Sequence, residues 1–237
     1  MTPDVTKAVR MVAEAADGAA LTEVPRRVCA AVSEGLGMDG ATLSLLTDTP
    51  SRQLLAASND AALLLEEIQF TLLEGPCIAA AHRGEPVAVD ELRGAVTPWP
   101  LFGAAMREKL PQVESVYALP VFFGDYVLGS VDLLALRPHA LDEEALERAS
   151  AVADAVAAAL LPTRDVIITG DRAPSWEPVD VVRAHWFDTA RAVGALVATR
   201  ELTPENALAL MRAEAFRTGR SLADITRDIL HESPGSP

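Results

Sequence analysis

Apolar residues in the first part of the chain are spaced first as in helices and then as in strands. Apolar positions recur at helical spacing over Val5–Ala16 and again from Leu21 to Gly35, which predicts two amphipathic helices. The pattern then changes to short apolar runs at Ala41–Thr47 and Arg52–Ser58, with Asp, Thr and Pro between them. These runs predict two strands joined by a turn.

The middle of the chain interleaves short helices with strands and ends in a hairpin. Gly124-Asp125 separates two apolar runs, and a two-residue turn of this kind is typical of a β-hairpin. Both runs are apolar on both faces, so we expect the hairpin at the centre of a sheet that is covered on each side. The other elements predicted here are helices over Ala61–Glu67, Gly75–Arg83, Trp99–Leu110 and Asp142–Leu161, and a strand over Pro86–Val89.

A proline-containing stretch then divides the chain. Residues 162–178 include three prolines and show no sustained period, apart from a short extended segment at Val166–Thr169. From residue 179 to residue 233 the pattern is helical again, with capped starts at Thr203 and Ser221 that make three helices in all. We therefore expect an α+β domain over 1–161 with a mainly antiparallel sheet, a linker over 162–178, and a three-helix bundle over 179–233.

The first part of the chain and the helical tail also differ in net charge. The chain has a net charge of −14, but residues 179–237 hold seven arginines against eight acidic residues and no lysine. The overall acidity argues against general nucleic-acid coating and against binding to anionic membranes. The arginines of the tail still allow a local RNA-binding face, because guanidinium groups stack on bases and bind phosphates.

Cysteine and histidine are too sparse to suggest a disulfide framework or a zinc site. Cys29 and Cys77 stand in unrelated contexts, and the four histidines lie far apart. We expect neither a metal nor a cofactor. The first residues contain no uninterrupted apolar run of the kind found in a signal peptide, so we expect a cytoplasmic protein.

The tail contains the stretch "ARAVGALVATRELTPENALALMRAEAFRTGRSLADITRDIL". With its flanks, about fifty residues in all, this stretch resembles the ANTAR domain, a three-helix RNA-binding antiterminator module of bacterial response regulators. Three positions depart from the usual ANTAR pattern, where Gly219 and Ser221 replace the customary Asn and Lys and Thr226 replaces an Ala. The resemblance implies RNA binding, and the arginines expected to contact RNA are Arg191, Arg212, Arg217, Arg220 and Arg227.

Four short stretches follow one another in the first part of the chain. They are "EGPC" at Glu74–Cys77, "GEPVAVDEL" at Gly84–Leu92, "WPLF" at Trp99–Phe102, and "SVYALPVFFGDYVLGSVDLL" at Ser115–Leu134. In this order they make residues of about 20 to 160 resemble a GAF domain, of the kind that precedes ANTAR in actinobacterial proteins. A GAF domain implies a sensor with a pocket between its sheet and its short helices. The residues expected to line this pocket are Cys77, Trp99, Phe102 and Tyr117.

Cys77 has three interpretations. It can be a small buried residue that helps the Gly-Pro-Cys turn to pack, or a redox or electrophile sensor whose thiol is activated at a helix start. It can also be the catalytic thiol of a methionine sulfoxide reductase on the GAF fold, but such an enzyme needs a resolving thiol nearby, and Cys29 lies on an early helix where we expect it to be buried. The aromatic residues of the expected pocket likewise fit either core packing or ligand binding. Paired catalytic carboxylates, a nucleophile elbow, a phosphate loop and a metal motif are all missing from the sequence, so we expect no enzyme.

Together these patterns predict a signal-responsive regulator. The sensor would control the tail. The tail would bind a stem-loop in nascent RNA and promote antitermination. A dimer is expected, because one small bundle presents too little surface for two hairpins. The flanking helices Val5–Ala16 and Asp142–Leu161 are the predicted dimer contacts. The alternative is a protein-interaction or dimerisation sensor whose tail no longer binds RNA.

Overall fold

The structure, a computed structural model, describes residues 4–46, 52–94, 96–163 and 188–232. The predicted linker lies almost entirely outside the described residues, as do the extended segment at Val166–Thr169 and the start of the tail. The helices are α1 (Val5–Ala16), α2 (Val24–Leu36), α3 (Asp60–Leu72), α4 (Pro76–Arg83), α5 (Pro100–Lys109), α6 (Glu143–Leu160), α7 (Thr189–Arg200), α8 (Pro204–Thr218) and α9 (Leu222–Glu232). The strands are β1 (Gly40–Leu46), β2 (Arg52–Ala57), β3 (Val87–Val89), β4 (Ser115–Phe123) and β5 (Tyr126–Ala135).

Five strands form one antiparallel sheet in the order β2-β1-β5-β4-β3. The predicted hairpin is β4–β5, and it closes through Gly124, whose φ of +60° a glycine adopts without steric cost. As expected from its apolar sequence, β4 is buried over its first seven residues. The prediction of an α+β fold with an antiparallel sheet between helices is confirmed.

The two faces of the sheet are covered by different helices. On the first face, α1, α2 and α6 pack against one set of alternating residues that includes Leu43, Leu119 and Leu133. On the second face, α3, α4 and α5 cover the other set, which includes Val116 and Leu134. This division follows from the two-residue period of a strand.

Helices α7, α8 and α9 pack around a separate apolar core. Its buried members from the tail are Ala192, Leu196, Ala207, Leu208, Met211, Ala215, Leu222 and Ile225. One further member, Phe70, comes from α3 of the first domain, so the bundle contacts the sensor part of the chain. Among the described helices, none is both long and apolar enough to cross a membrane.

Strands β1 and β5 lie close together beside Gly129. A Cβ atom at this position would collide with the carbonyl oxygen of Ser44 in the neighbouring strand. Because that oxygen belongs to the backbone, the collision could be relieved only if the two strands moved apart. Gly129 therefore sets the spacing of the central strands.

We expect Gly129→Ala to lower the free energy of unfolding by roughly 1–3 kcal/mol, since the extra methyl group forces a backbone shift. The control is Gly194→Ala in α7, where a Cβ would meet no described atom within 4 Å. This control should gain about 0.5–1 kcal/mol from helix propensity. Urea unfolding followed by circular dichroism measures both, and equal stabilities for the two variants would contradict the prediction.

Candidate functional site

Four polar side chains lie side by side in the middle of the second face of the sheet. Thr42 and Ser44 on β1 are paired directly with Asp132 and Ser130 on β5. All four residues are buried. Directly opposed residues of an antiparallel pair share a face, with Cβ atoms about 4.5–5.5 Å apart. These four residues, here called the polar patch, interrupt an otherwise apolar surface.

Helix α3 adds two more buried polar side chains above the polar patch. Glu66 and Gln69 are three residues apart, so they lie on neighbouring positions of the helix surface. The Gln69 Nε2 atom donates a hydrogen bond to Asp132 Oδ2 at 2.6 Å, and Gln69 Oε1 accepts one from the backbone N–H of Cys77 at 3.0 Å. Gln69 thus links α3 to β5 and to the first turn of α4.

The Glu-Gly-Pro-Cys stretch has a structural role for its first two residues. Gly75 has a φ of +140°, and a Cβ there would lie 2.5 Å from Gln69 Oε1, so only glycine fits. The Glu74 carboxylate accepts hydrogen bonds from the backbone N–H groups of Leu101 at 3.1 Å and Phe102 at 3.4 Å. A carboxylate at this helix end is favourable, because the first N–H groups of α5 have no partner within the helix.

Cys77 faces two carboxylates. Its Sγ atom and one carboxylate oxygen each from Glu66 and Asp132 all lie within 4.8 Å of one another, and all three residues are buried. Small apolar side chains of α4, β3 and β4 surround the thiol on its other sides. The thiol is therefore buried, as the packing interpretation requires, and it also has polar neighbours that this interpretation did not include.

The aromatic residues predicted for the pocket divide between the two faces. Trp99 and Phe102 meet edge to face, with ring centroids 6.3 Å apart. Phe102 belongs to the cluster beneath α3 and α5, and Trp99 packs against both that cluster and the one around Cys77. Trp99, Phe102 and Cys77 therefore lie on the second face of the sheet.

Tyr117 lies apart from the other residues predicted for the pocket, because its side chain is on the first face, in the core with α1, α2 and α6. Its hydroxyl donates a hydrogen bond to Asp90 Oδ1 at 2.6 Å and accepts one from the backbone N–H of Leu141 at 3.1 Å. Burial, followed by the bond to Asp90, raises the pKa of Tyr117 to about 12. Strand β4 is apolar on both faces, so its sequence did not show which face receives the tyrosine.

The GAF domain family model matches residues 18–161. The chain belongs to the GAF family. The match covers the whole sheet and α2 to α6, whereas α1 precedes it. A GAF domain gives this part of the chain a sensor role in signalling. A search of curated proteins found no match to the chain.

Solved structures share the GAF fold at low sequence identity. The free methionine-R-sulfoxide reductase of Neisseria meningitidis, in complex with its substrate, is 12% identical with a TM-score of 0.52, over 68% of this chain and 91% of that one. The fRMsr of Staphylococcus aureus, also in complex with substrate, is 14% identical with a TM-score of 0.50, over 67% and 96%. The phycocyanobilin-bound GAF domain from a cyanobacterial phytochrome is 17% identical with a TM-score of 0.51, over 69% and 97%. At these identities the likeness concerns the fold alone.

These comparisons correct the prediction that the chain is not an enzyme. That prediction rested on the missing catalytic motifs of the sequence. Two of the similar structures are reductases built on the same GAF fold, so the fold serves catalysis as well as sensing. Missing motifs are therefore no argument against an enzyme on this fold.

Arg212 is set apart from the other arginines predicted to bind RNA. Only 9% of it is exposed, and its guanidinium carbon lies 5.4 Å from the ring centroid of Phe70 on α3. Its Nε atom donates a hydrogen bond to the Phe70 carbonyl oxygen at 3.3 Å. Burial lowers the pKa of Arg212 to about 10. In this arrangement Arg212 connects the tail to the GAF domain.

The other four predicted arginines are exposed on the tail, and each pairs with an acidic neighbour. The pairs are Arg191 with Asp188 at 3.0 Å, Arg217 with Glu214 at 2.9 Å, Arg220 with Asp228 at 2.6 Å, and Arg227 with Asp224 at 2.9 Å. Hydrogen bonds from these arginines lower the pKa values of Glu214 and Asp228. Exposed pairs of this kind contribute about 0–1 kcal/mol each, so they open easily.

A cleft lies between the GAF domain and the tail. Its walls come from α3, α5, α8 and the turn before α9, and include Leu64, Ile68, Leu101, Ala105, Phe216 and Arg220. Phe216 is 58% exposed here. The contact between the two parts is therefore open along one side.

The polar patch and the two polar residues of α3 were not among the residues predicted for the site. The signal was present, because Asp132 and Ser130 interrupt the apolar run "VLGSVDLLAL", and Thr42 and Ser44 interrupt "ATLSLL" at the same period. Polar residues at every second position of a strand covered on both faces must be buried. Buried polar groups usually need hydrogen-bond partners, so such residues are candidates for a functional site.

Replacing Gln69 with leucine should destabilise the GAF domain. The change removes a donor from Asp132 and an acceptor from the Cys77 N–H, and each buried group left without its bond costs about 1–3 kcal/mol. The measurement is the free energy of unfolding from urea titration.

The same substitution at Gln112 serves as the control, because this residue is exposed. A change of about 0.5 kcal/mol or less is expected there. Similar values for Gln69→Leu and Gln112→Leu would show that the Gln69 bonds do not hold the site together.

Proposed function

We propose that this chain is a signal-responsive regulator in which the GAF domain controls an RNA-binding tail of the ANTAR type. The tail would bind RNA stem-loops and promote transcription antitermination. The proposed domains are the sensor over 1–161, a linker over 162–178, and the RNA-binding bundle over 179–233. The observation that carries the proposal is the buried contact of Arg212 with Phe70, which joins the tail to the sensor.

The geometry of the tail supports the ANTAR resemblance in two ways. Thr203 accepts a hydrogen bond from the N–H of Asn206 at the start of α8, so the predicted cap is formed. The hydroxyl of Ser221 accepts a bond from the N–H of Asp224 at 3.1 Å, and the Asp224 carboxylate accepts one from the Ser221 N–H at 3.4 Å. This reciprocal capping box begins α9 at the place that the resemblance requires.

Two of the departures from the ANTAR pattern have structural explanations. Thr226 is buried, and its hydroxyl lies 3.3 Å from that of Thr189, so it joins α9 to α7. Gly219 ends α8 with a φ of +66°, a conformation that glycine adopts readily. Only Ser221 replaces a cation with a neutral residue, and its hydroxyl caps the helix instead.

The exposed arginines are the proposed RNA contacts. Arg191, Arg217, Arg220 and Arg227 each hold a surface ion pair that a phosphate group can replace at little cost. We assign Arg212 to the contact with the sensor rather than to RNA. A signal that releases Arg212 from Phe70 would free a fifth cation near Arg217 in sequence and so alter RNA affinity.

The proposed dimer would form along the first face of the sensor. Helices α1 and α6 line a groove whose walls are mostly small and apolar, with Val9, Ala13, Ala155 and Ala159 among them. A second copy that covered this groove would bring two RNA-binding tails together and supply avidity.

One observation favours the alternative function. Every exposed arginine named above already has an acidic partner, so the surface of the tail is electrically balanced. A balanced surface suits a protein partner or self-association better than a polyanion. Under this alternative the GAF domain would still be the sensor, and the tail would dock a protein.

RNA binding is tested by fluorescence anisotropy with pooled stem-loops from nascent transcripts at several salt concentrations. Arg220→Ala should reduce the slope of log K against log salt by roughly 0.7–0.9 for each phosphate group that the protein no longer neutralises. Ser221→Lys should strengthen binding, because it restores a cation at the start of α9. Arg10→Ala is the control, since Arg10 is exposed on α1 in a similar pair with Glu14. Binding that stays undetectable at low salt in wild type and Ser221→Lys would favour the protein-docking alternative.

The contact between sensor and tail is tested with Arg212→Met, which keeps the length of the side chain but removes its charge and hydrogen bond. A cation–π contact is worth about 0.5–2 kcal/mol, so α8 should exchange its amide hydrogens faster, while the sheet should not. Arg217→Met is the control, because Arg217 lies on the same helix but is exposed. Equal exchange rates for α8 in both variants would contradict the coupling.

A further inference from the structure

We propose that Glu66, Cys77 and Asp132 bind one divalent transition-metal ion of the zinc class. The three residues come from α3, α4 and β5, and their sulfur and oxygen atoms lie within 4.8 Å of one another. This spread is small enough for one ion to reach all three with modest rotation of the side chains. The three ligands are separated by 11 and 55 residues in the sequence, so they do not form a recognisable sequence motif.

The set of donor atoms selects the kind of metal. One sulfur and two carboxylate oxygens suit Zn²⁺ and neighbouring borderline ions, whereas Mg²⁺ and Ca²⁺ prefer oxygen alone. On binding, the thiol of Cys77 loses its proton to solvent and the sulfur forms a bond to the ion. No electron is transferred, and one proton is released for each ion bound.

The polar patch supplies an independent observation that points to a ligand. The hydroxyl oxygens of Thr42 and Ser44 are fully buried and have no hydrogen-bond partner among the residues that the structure describes. Thr42 lies directly opposite Asp132 on the same face of the sheet, so it is an immediate neighbour of one of the three proposed ligands. Buried hydroxyl groups are normally satisfied, and here the ion or a water molecule bound to it would satisfy them.

Gln69 would hold the metal ligands in place without touching the ion. It donates a hydrogen bond to Asp132 Oδ2 and accepts one from the N–H of Cys77, so it orients two of the three ligands. Outer partners of this kind are a regular feature of metal sites and fix the orientation of the ligating groups. Asp132 itself stands on β5, the central strand of the five-stranded sheet.

Metal binding would also give the sensor a signal. This step rests on the proposed function, because it assumes that the GAF domain controls the tail. Gln69 contacts Asp132, and the next residue, Phe70, is covered by Arg212 of the tail. A shift of α3 on metal binding would therefore reach the tail through adjacent residues of one helix.

The test uses the full chain, reduced and freed of metal by chelation under denaturing conditions, then refolded with increasing amounts of Co²⁺. A cobalt ion bound to a thiolate absorbs in the near ultraviolet through charge transfer from sulfur. We expect this band to saturate at about one equivalent, and we expect Zn²⁺ to abolish it by displacement. RNA plays no part in the measurement, so its outcome is separate from that of the RNA-binding experiment.

The two cysteines provide a matched pair of variants. Cys29 is also buried, but it lies on the first face of the sheet, where its thiol donates a hydrogen bond to the Ala41 carbonyl oxygen. Cys29→Ser should keep the cobalt band, and Cys77→Ser should lose it. Asp132→Asn and Glu66→Gln should keep the band but weaken cobalt affinity at least about tenfold, by removing a charged ligand.

The result for the wild type decides the proposal even where a variant fails to fold. A folded, reduced wild-type chain that gives no charge-transfer band with Co²⁺ would overturn it. A band that survives Cys77→Ser and disappears in Cys29→Ser would overturn it as well, because the metal would then be bound on the other face.

Discussion

The side-chain amide of Gln69 joins three parts of the GAF domain through two hydrogen bonds. It fixes α3 against the central strand at Asp132 and fixes the start of α4 at Cys77. Gly75 is required because any side chain there would strike this amide, and Glu74 then turns outward to cap α5. The Gln69 amide thus positions α3 and α4 directly, and Glu74, five residues further along the chain, positions α5.

Much of this fold could be predicted from the sequence, because helices and strands differ in the period of their apolar residues. Spacing of three and four residues identified the helices, and short apolar runs identified the strands and the β4–β5 hairpin. The family assignment followed from the order of four short motifs and is confirmed by the match over residues 18–161. The local sequence pattern was sufficient to predict an element wherever that element has one covered face or ends in a clear turn.

The pattern was insufficient where burial depends on distant residues. Strand β4 is apolar on both sides, so the sequence could not show that Tyr117 faces α1, α2 and α6. Arg212 resembles its exposed neighbours Arg217 and Arg220 in sequence, and only packing against Phe70 distinguishes it. The cluster of Glu66, Cys77 and Asp132 forms only when α3, α4 and β5 come together. Each of these facts belongs to tertiary structure.

Gln69 and Phe70 are consecutive, and this adjacency makes the proposed regulation reciprocal. Gln69 contacts Asp132 in the cluster of Glu66, Cys77 and Asp132, and Phe70 contacts Arg212 of the tail. The two contacts are therefore made by adjacent residues of one helix. If occupation of the cluster changes the affinity of the tail for its partner by some factor, the partner must change the affinity of the cluster by the same factor. The target of the tail is then also an effector of the sensor, and the strength of sensing differs between free and target-bound protein.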